Sequence, residues 1–262
     1  KACKINAELV ASIKAGLSKK WSPEQISGRL SLADKESISH ETIYRYILAD
    51  KQAGGVLYKA LRHSSRPYRK RYGRQDYRGT IPDRVDISER PSVVGERSRI
   101  GDWEADLVIG KGHKGAIVTM AERRSRLYLA LNIAHKTKEL TAAAIQALLA
   151  AFKDVVYTIT YDNGREFCGH KTIANQLDCQ SYFAKPYHSW ERGLNENSNG
   201  LLRQYFPKSR AFDRLSKQEV CAAITEMNNR PRKCLGYKTP AEVFFQLTHK
   251  KWEDLMGGAL AT

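Results

Sequence analysis

Three acidic positions in this 262-residue chain stand where divalent-metal chemistry would need them. Asp106 lies in Trp103–Ile109, a run that reads as a strand. Asp162 directly follows a β-branched and aromatic run, in Thr160-Tyr161-Asp162-Asn163-Gly164, and Glu196 lies further on in a helical stretch. Mg²⁺ is a hard cation that takes carboxylate oxygens and keeps several waters. Two such ions roughly 3.5–4 Å apart hold the attacking and leaving oxygens of an in-line phosphoryl displacement. Without a cation, converging carboxylates raise one another's pKa, so a triple of this kind points to metal. Chemistry alone does not single out the members. Asp102, Glu104 and Asp106 alternate along one strand and share a face, and Glu191 competes with Glu196.

The elements that must position these acids follow from periodicity. Strands are predicted at Trp103–Ile109, Ala116–Ala121, Leu127–Ile133, Val155–Tyr161 and Ser181–Ala184. Helices are predicted at Thr137–Phe152, Thr172–Leu177, about Glu191–Tyr205 and Ser216–Met227. The order β-β-β-α-β-α-β-α is that of an RNase H-like α/β fold, a mixed sheet with flanking helices. In such a sheet the first and fourth strands are neighbours, so Asp106 and Asp162 meet at one end. The helix after the fifth strand must cross that end to add Glu196.

The first 61 residues read as a small all-helical domain. Leu9, Val10, Ile13 and Leu17 recur at helical spacing. Ser22-Pro23-Glu24-Gln25 is a helix start with a capping box, and Ser39 opens the next helix. Two short helices with a brief link, the second carrying His40, Thr42, Tyr44 and Arg45, resemble a helix-turn-helix, so Ser39 to Arg45 is a candidate DNA contact. Residues 62–99 read as a basic linker. There Arg66, Arg69, Lys70, Arg71 and Arg74 interleave with Tyr68, Tyr72 and Tyr77, a composition suited to tracking a phosphate backbone. The catalytic domain is expected over 100–250 and a C-terminal tail over 251–262.

Charge and cysteine usage narrow the function class. Lys+Arg number 44 against 28 Asp+Glu, a formal charge of +16 that asks for a polyanionic partner. No apolar run approaches a membrane span, since Ala142–Phe152 is short and contains Gln146. The five cysteines form no C-x-x-C pair, so neither a disulfide framework nor a zinc module is expected, only thiols in a reducing compartment. The chain opens at Lys1 without a signal-peptide pattern and is expected to be processed or truncated there.

The motifs then carry a resemblance. Trp103-Glu104-Ala105-Asp106-Leu107-Val108-Ile109-Gly110, Tyr161-Asp162-Asn163-Gly164 and the block from Trp190 through Glu196 to Lys208 resemble the insertion sequence 30 family of bacterial transposases. Asn228-Asn229-Arg230-Pro231-Arg232-Lys233 and Thr239-Pro240 are similar to its C-terminal signature, and Trp21–Ile26 with Ile38–Tyr44 to its helix-turn-helix region. The resemblance implies a DDE transposase whose triad is Asp106, Asp162 and Glu196, holding two Mg²⁺ ions for which Mn²⁺ can substitute. It implies binding of the terminal inverted repeats of a mobile element, strand cleavage, and strand transfer into target DNA by the freed 3′-hydroxyl. No covalent enzyme–DNA intermediate is expected.

A homodimer at synapsis, no membrane partner and a bacterial cytoplasmic, nucleoid-associated location follow from the same resemblance. Glu191 stands where the family usually has Gln. A further N-terminal DNA-binding region usual in the family is not in this chain, which is therefore expected to be a fragment or a shortened member. On the helix of Glu196, Asn199 and Arg203 share its face, with Lys208 beyond. Asn199 is expected to orient a carboxylate or a water, and all three are candidates for holding DNA. The alternatives are a non-catalytic DNA-binding regulator and a Mg²⁺-dependent nuclease acting on RNA–DNA hybrids.

Overall fold

The computed structural model describes residues 6–33, 38–62, 81–185 and 193–260. The chain divides into two compact units, Lys1–Arg74 with Asn229–Val243, and Gln75–Asn228 with Phe244–Thr262.

The first unit is helical. Its helices α1 (Ala7–Ser18), α2 (Pro23–Leu32) and α3 (His40–Gln52) begin where local chemistry starts them. The Ser22 hydroxyl accepts from the Gln25 amide N–H while the Gln25 side chain accepts from the Ser22 N–H, the reciprocal pairing that satisfies two orphan donors. Pro23 costs α2 nothing, because its position has no intrahelical partner for an N–H. Ser39 caps α3 by accepting from the Thr42 N–H at 3.2 Å. Leu9, Ile13 and Leu17 of α1, Ile26 and Leu30 of α2, Ile43 and Ile47 of α3, and Ile38 bury together as one core.

The returning C-terminal segment braces α2 within the same unit. Gln25 Nε2 donates to the Pro231 carbonyl at 2.8 Å, and Gln25 Oε1 accepts from Arg230 Nε at 2.9 Å. Arg29 donates two parallel bonds to the Glu242 carboxylate, at 2.8 and 2.5 Å. Gly28 lies under the Tyr237 ring, where a Cβ would stand 2.3 Å from a ring carbon. The sequence reading keeps 229–243 in the catalytic domain; the structure folds them onto α2. The pairing joins residues some two hundred positions apart, which no local pattern announces.

The second unit is built on a mixed sheet of β1 (Asp102–Ile109), β2 (Ala116–Glu122), β3 (Tyr128–Ile133), β4 (Thr158–Tyr161) and β5 (Gln180–Phe183), in the order β3-β2-β1-β4-β5. β1, β2 and β3 form an antiparallel meander; β4 pairs parallel to β1, and β5 parallel to β4. This is the RNase H-like arrangement expected from the element order. Between and after the strands come α4 (Ser92–Glu96), α5 (Lys138–Leu149), α6 (His170–Leu177), α7 (Gly193–Leu202), α8 (Lys217–Asn228), α9 (Pro240–Thr248) and α10 (Trp252–Leu260). Strand alternation puts Trp103 and Ala105 on one face of β1 and Asp102, Glu104 and Asp106 on the other. The Trp103 ring packs on Phe152, and Phe152 on Phe244, each pair with centroids 5.8 Å apart. β2 is buried along its whole length, so both faces of the sheet are covered there.

Two expectations about the ends of this unit change. Residues 81–99, read as linker, are folded onto the sheet. Phe183 N–H donates to the Val85 carbonyl at 2.9 Å, Asp86 bridges to Phe183, and Arg90 Nη1 donates to Thr160 Oγ1 at 2.9 Å. Backbone and arginine bonds make that contact together with the buried Ile81 and Val94, two apolar residues too far apart to announce a strand or helix. The expected tail contains α10, with Trp252 and Met256 buried. Among the described residues no helix is long and apolar enough to cross a membrane.

The Arg29–Glu242 pair yields a prediction. Arg29 holds the Glu242 carboxyl below its ordinary range, chiefly by hydrogen bonding. The stabilisation is therefore full above the unfolded-state pKa and is lost as pH falls through the folded one. Both side chains are about one-third exposed, so screening limits the pair to about 0.5–1 kcal/mol. Hydrogen exchange of the α2 amides in Arg29→Ala should show a loss of that size at neutral pH, shrinking towards zero as the medium is acidified.

Candidate active site

The parallel pairing of β1 with β4 runs towards the first two acids. Asp102 pairs with Thr158, Trp103 with Ile159 and Glu104 with Thr160. Continued two residues along the same offset, the register brings Asp106 level with Asp162. Asp162 follows the last residue of β4, and its Oδ1 accepts from the Gly164 N–H at 2.8 Å, a turn that fixes the carboxylate at the strand end. Asn163 anchors the same turn, donating to the Ala184 carbonyl at 2.7 Å and accepting from Arg84 Nη1 at 2.5 Å.

The three same-face acids of β1, equivalent by spacing, differ in their surroundings. Asp102 is buried and takes two bonds from Arg99, at 3.0 and 2.9 Å, and one from the Thr158 hydroxyl at 2.8 Å. Its carboxylate in turn raises the Arg99 pKa. Glu104 is fully buried and paired with the equally buried Arg123, whose Nε donates to the Val94 carbonyl at 3.0 Å. Asp106 is half-buried, and its Oδ2 accepts from Asn199 Nδ2 at 2.7 Å. Two of the three acids are thus closed inside guanidinium pairs, which physics beyond the strand alternation was needed to reveal.

α7 lies along β1 and is fixed to it at successive points. Glu104 Oε2 accepts from the Asn195 N–H in the first turn of α7 at 3.2 Å, a carboxylate at the positive end of a helix. One helical turn on, about 6 Å of rise, Asn199 meets Asp106, two strand residues or about 6.6 Å beyond Glu104. A further turn on, Arg203 Nη2 donates to the Ile109 carbonyl at 2.8 Å. The Arg203 guanidinium also lies over the Phe212 ring at 5.6 Å, and burial lowers its pKa from the ordinary value. Arg203, expected to hold DNA phosphate, fastens the end of α7 to β1. Asn199 is likewise directed at Asp106, in keeping with the expected carboxylate-orienting role.

Glu196 follows Asn195 on α7 and is exposed. Among the described residues, no three His, Cys, Asp or Glu side chains are gathered closely enough to hold one metal ion, so Asp106, Asp162 and Glu196 do not form a closed cluster. The donor set still suits a hard divalent cation, since all its donors are carboxylate oxygens. Glu191 lies outside the described residues, as do Arg66, Arg69, Lys70, Arg71 and Arg74 of the basic stretch. On α3, His40, Tyr44 and Arg45 are exposed; the His40 and Tyr44 rings meet edge to face, and Arg45 pairs with Glu41 at 2.7 Å. Ser39 and Thr42 hydroxyls stand 2.9 Å apart at the helix start, and Lys208 is exposed.

Sequence reasoning missed three residues around Asn199. The Tyr128 hydroxyl donates to Asn199 Oδ1, the Thr119 hydroxyl approaches the same atom at 3.4 Å, and Asn228 clamps the Tyr128 backbone. Asn228 stands in the C-terminal signature and so had a signal; Tyr128 and Thr119 had none beyond strand alternation.

Comparison with known proteins bears on this geometry. A family model described as integrase core domain matches residues 97–189. The transposase for insertion sequence element IS4351 of Bacteroides fragilis is 48% identical over 235 residues, covering 89% of this chain and 72% of that protein. The transposase for IS1086 of Cupriavidus metallidurans is 38% identical over 243 residues, covering 88% and 70%. Transposase InsI for IS30C of Escherichia coli is 34% identical over 238 residues, covering 87% and 62%.

The contrast between Glu104 and Asp106 is testable by stability. Glu104→Gln leaves the Arg123 charge buried without its counter-ion and should cost about 3 kcal/mol, read by thermal unfolding. Asp106→Asn, at a half-buried position, should stay within about 1 kcal/mol of the parent.

Proposed function

The chain belongs to the insertion sequence 30 family of transposases, enzymes of the polynucleotidyl transferase type with an integrase core domain, and on that premise we propose that Asp106, Asp162 and Glu196 are its catalytic, metal-holding acids. The substrate is the pair of terminal inverted repeats of the element, bound as double-stranded DNA, and the reactions are Mg²⁺-dependent strand cleavage and transfer of the freed 3′-hydroxyl into target DNA. The observation that supports this reading is the parallel β1–β4 pairing from Asp102–Thr158 to Glu104–Thr160, with Asp106 two residues further along β1 and Asp162 directly after β4, while α7, bearing Glu196, is fastened along β1. Bound Mg²⁺ would supply activation of the attacking hydroxyl and neutralisation of charge on the phosphodiester.

The chain's own residues do the positioning. Asn199 orients the Asp106 carboxylate without cancelling its charge, because its amide is neutral. The Gly164 N–H holds one oxygen of Asp162. Glu104 sets the start of α7 and with it the place of Glu196. Recognition of the repeats is assigned to the exposed face of α3, with His40, Tyr44 and Arg45 at the groove, Ser39 and Thr42 at the helix start, and the basic stretch from Arg66 to Arg74 on the backbone. Lys208 is assigned to DNA phosphate as well. Synapsis of two ends makes the working form a homodimer.

A duplex carrying the element's terminal repeat, incubated with Mg²⁺, tests the reading. Glu196→Gln should lose cleavage and strand transfer by at least about a hundredfold while shifting the duplex in a gel as the parent does. Cleavage by Glu196→Gln at the parent's rate overturns the assignment.

A further inference from the structure

Tyr128 opens β3, an edge strand of the sheet, with its ring fully buried. Its hydroxyl donates to Asn199 Oδ1 at 2.5 Å, and the Thr119 hydroxyl of β2 reaches the same oxygen at 3.4 Å. The other end of that amide, Nδ2, donates to Asp106 Oδ2 at 2.7 Å. An amide side chain has one acceptor end and one donor end. The Tyr128 hydroxyl on the oxygen turns the NH₂ toward the carboxylate and strengthens its bond by polarising the amide, while the Thr119 hydroxyl is shared with the Asp106 carbonyl at 3.3 Å.

Tyr128 is itself held. Asn228 Nδ2 donates to the Tyr128 carbonyl at 2.9 Å, and Asn228 Oδ1 accepts from the Tyr128 N–H at 2.9 Å, so one side chain satisfies both backbone groups of an edge-strand residue. The line Asn228–Tyr128–Asn199–Asp106 thus runs from α8 through β3 and α7 to β1 within one unit of the chain.

We propose that Tyr128 is a positioning residue for the transposase reaction: acting through Asn199, it holds the Asp106 carboxylate in the orientation that receives a divalent cation. The inference rests on the reading of Asp106 as a metal ligand. Tyr128 touches neither DNA nor metal in this scheme. Its loss would show in metal affinity, which a merely space-filling ring would leave unmoved.

Binding of Mn²⁺ alone to the full 262-residue chain, followed by electron paramagnetic resonance, tests this directly. Tyr128→Phe, which keeps the ring, should weaken Mn²⁺ binding about tenfold with the thermal midpoint nearly unchanged. Adding Tyr128→Phe to Asn199→Ala should weaken binding no further than Asn199→Ala alone. If Tyr128→Phe binds Mn²⁺ as the parent does while Asp106→Asn has lost binding, the proposal fails and the metal reading stands. Additive losses for Tyr128 and Asn199 also overturn it. If Asp106→Asn binds Mn²⁺ like the parent, the metal reading itself fails and takes the proposal with it.

Discussion

The buried Glu104 carboxylate is the constraint on which the candidate site depends. It sits in the middle of β1 with both oxygens engaged, one by the Arg123 guanidinium and one by the Asn195 N–H at the start of α7. A carboxylate taken out of water costs several kcal/mol unless it is paired and hydrogen-bonded. That penalty allows few other arrangements: α7 must present its N-terminal donors to this oxygen, and Arg123 must turn inward. Once the first turn of α7 is fixed, helix rise against strand rise carries Asn199 to Asp106 and Arg203 to the Ile109 carbonyl. A rotation of α7 by one residue, about 100°, would part all three contacts.

Much of this framework was legible because its causes are local. The five strands and their order follow from runs of β-branched and aromatic residues, and the starts at Pro23 and His40 from a capping box and a capping serine. The equivalence of Asp102, Glu104 and Asp106 was legible too, since alternation is a local property. Their inequality was not. It comes from Arg99, Arg123 and Asn199, and the two of these most remote from β1 in sequence reach it only through the tertiary fold. The same holds for Asn228 on Tyr128, a hundred positions apart, and for Pro231 on Gln25. Periodicity reports which face a residue lies on; it does not report what stands opposite.

The charge surplus is redistributed by the same pairings. A sum of +16 invites the idea that arginines generally await phosphate. Yet Arg123 is closed on Glu104, Arg99 on Asp102, Arg29 on Glu242, and Arg203 on the Ile109 carbonyl. These cations are structural members, and guanidinium suits the task because its planar fork meets carboxylates with two bonds at once. Net charge therefore identifies the class of partner while overstating how many residues touch it. Arg45, paired among the described residues with its exposed helix neighbour Glu41, is of the opposite kind: such a pair contributes a few tenths of a kcal/mol.

Along β1 the means of compensation changes in one direction. Asp102 and Glu104 meet guanidinium groups, and Asp106, nearer the open end of the strand, meets the Asn199 amide. A guanidinium cancels a carboxylate's charge; an amide directs the carboxylate and leaves its charge in place. Under the proposed metal-holding role of Asp106, the strand combines charge-compensated acids inside with an amide-directed acid at its end. Leaving Glu104 with an amide would strand a charge in the core. The order of partners along one strand face thus separates two acids closed on guanidinium groups from one that meets an amide, a distinction that the spacing of the three acids could not draw.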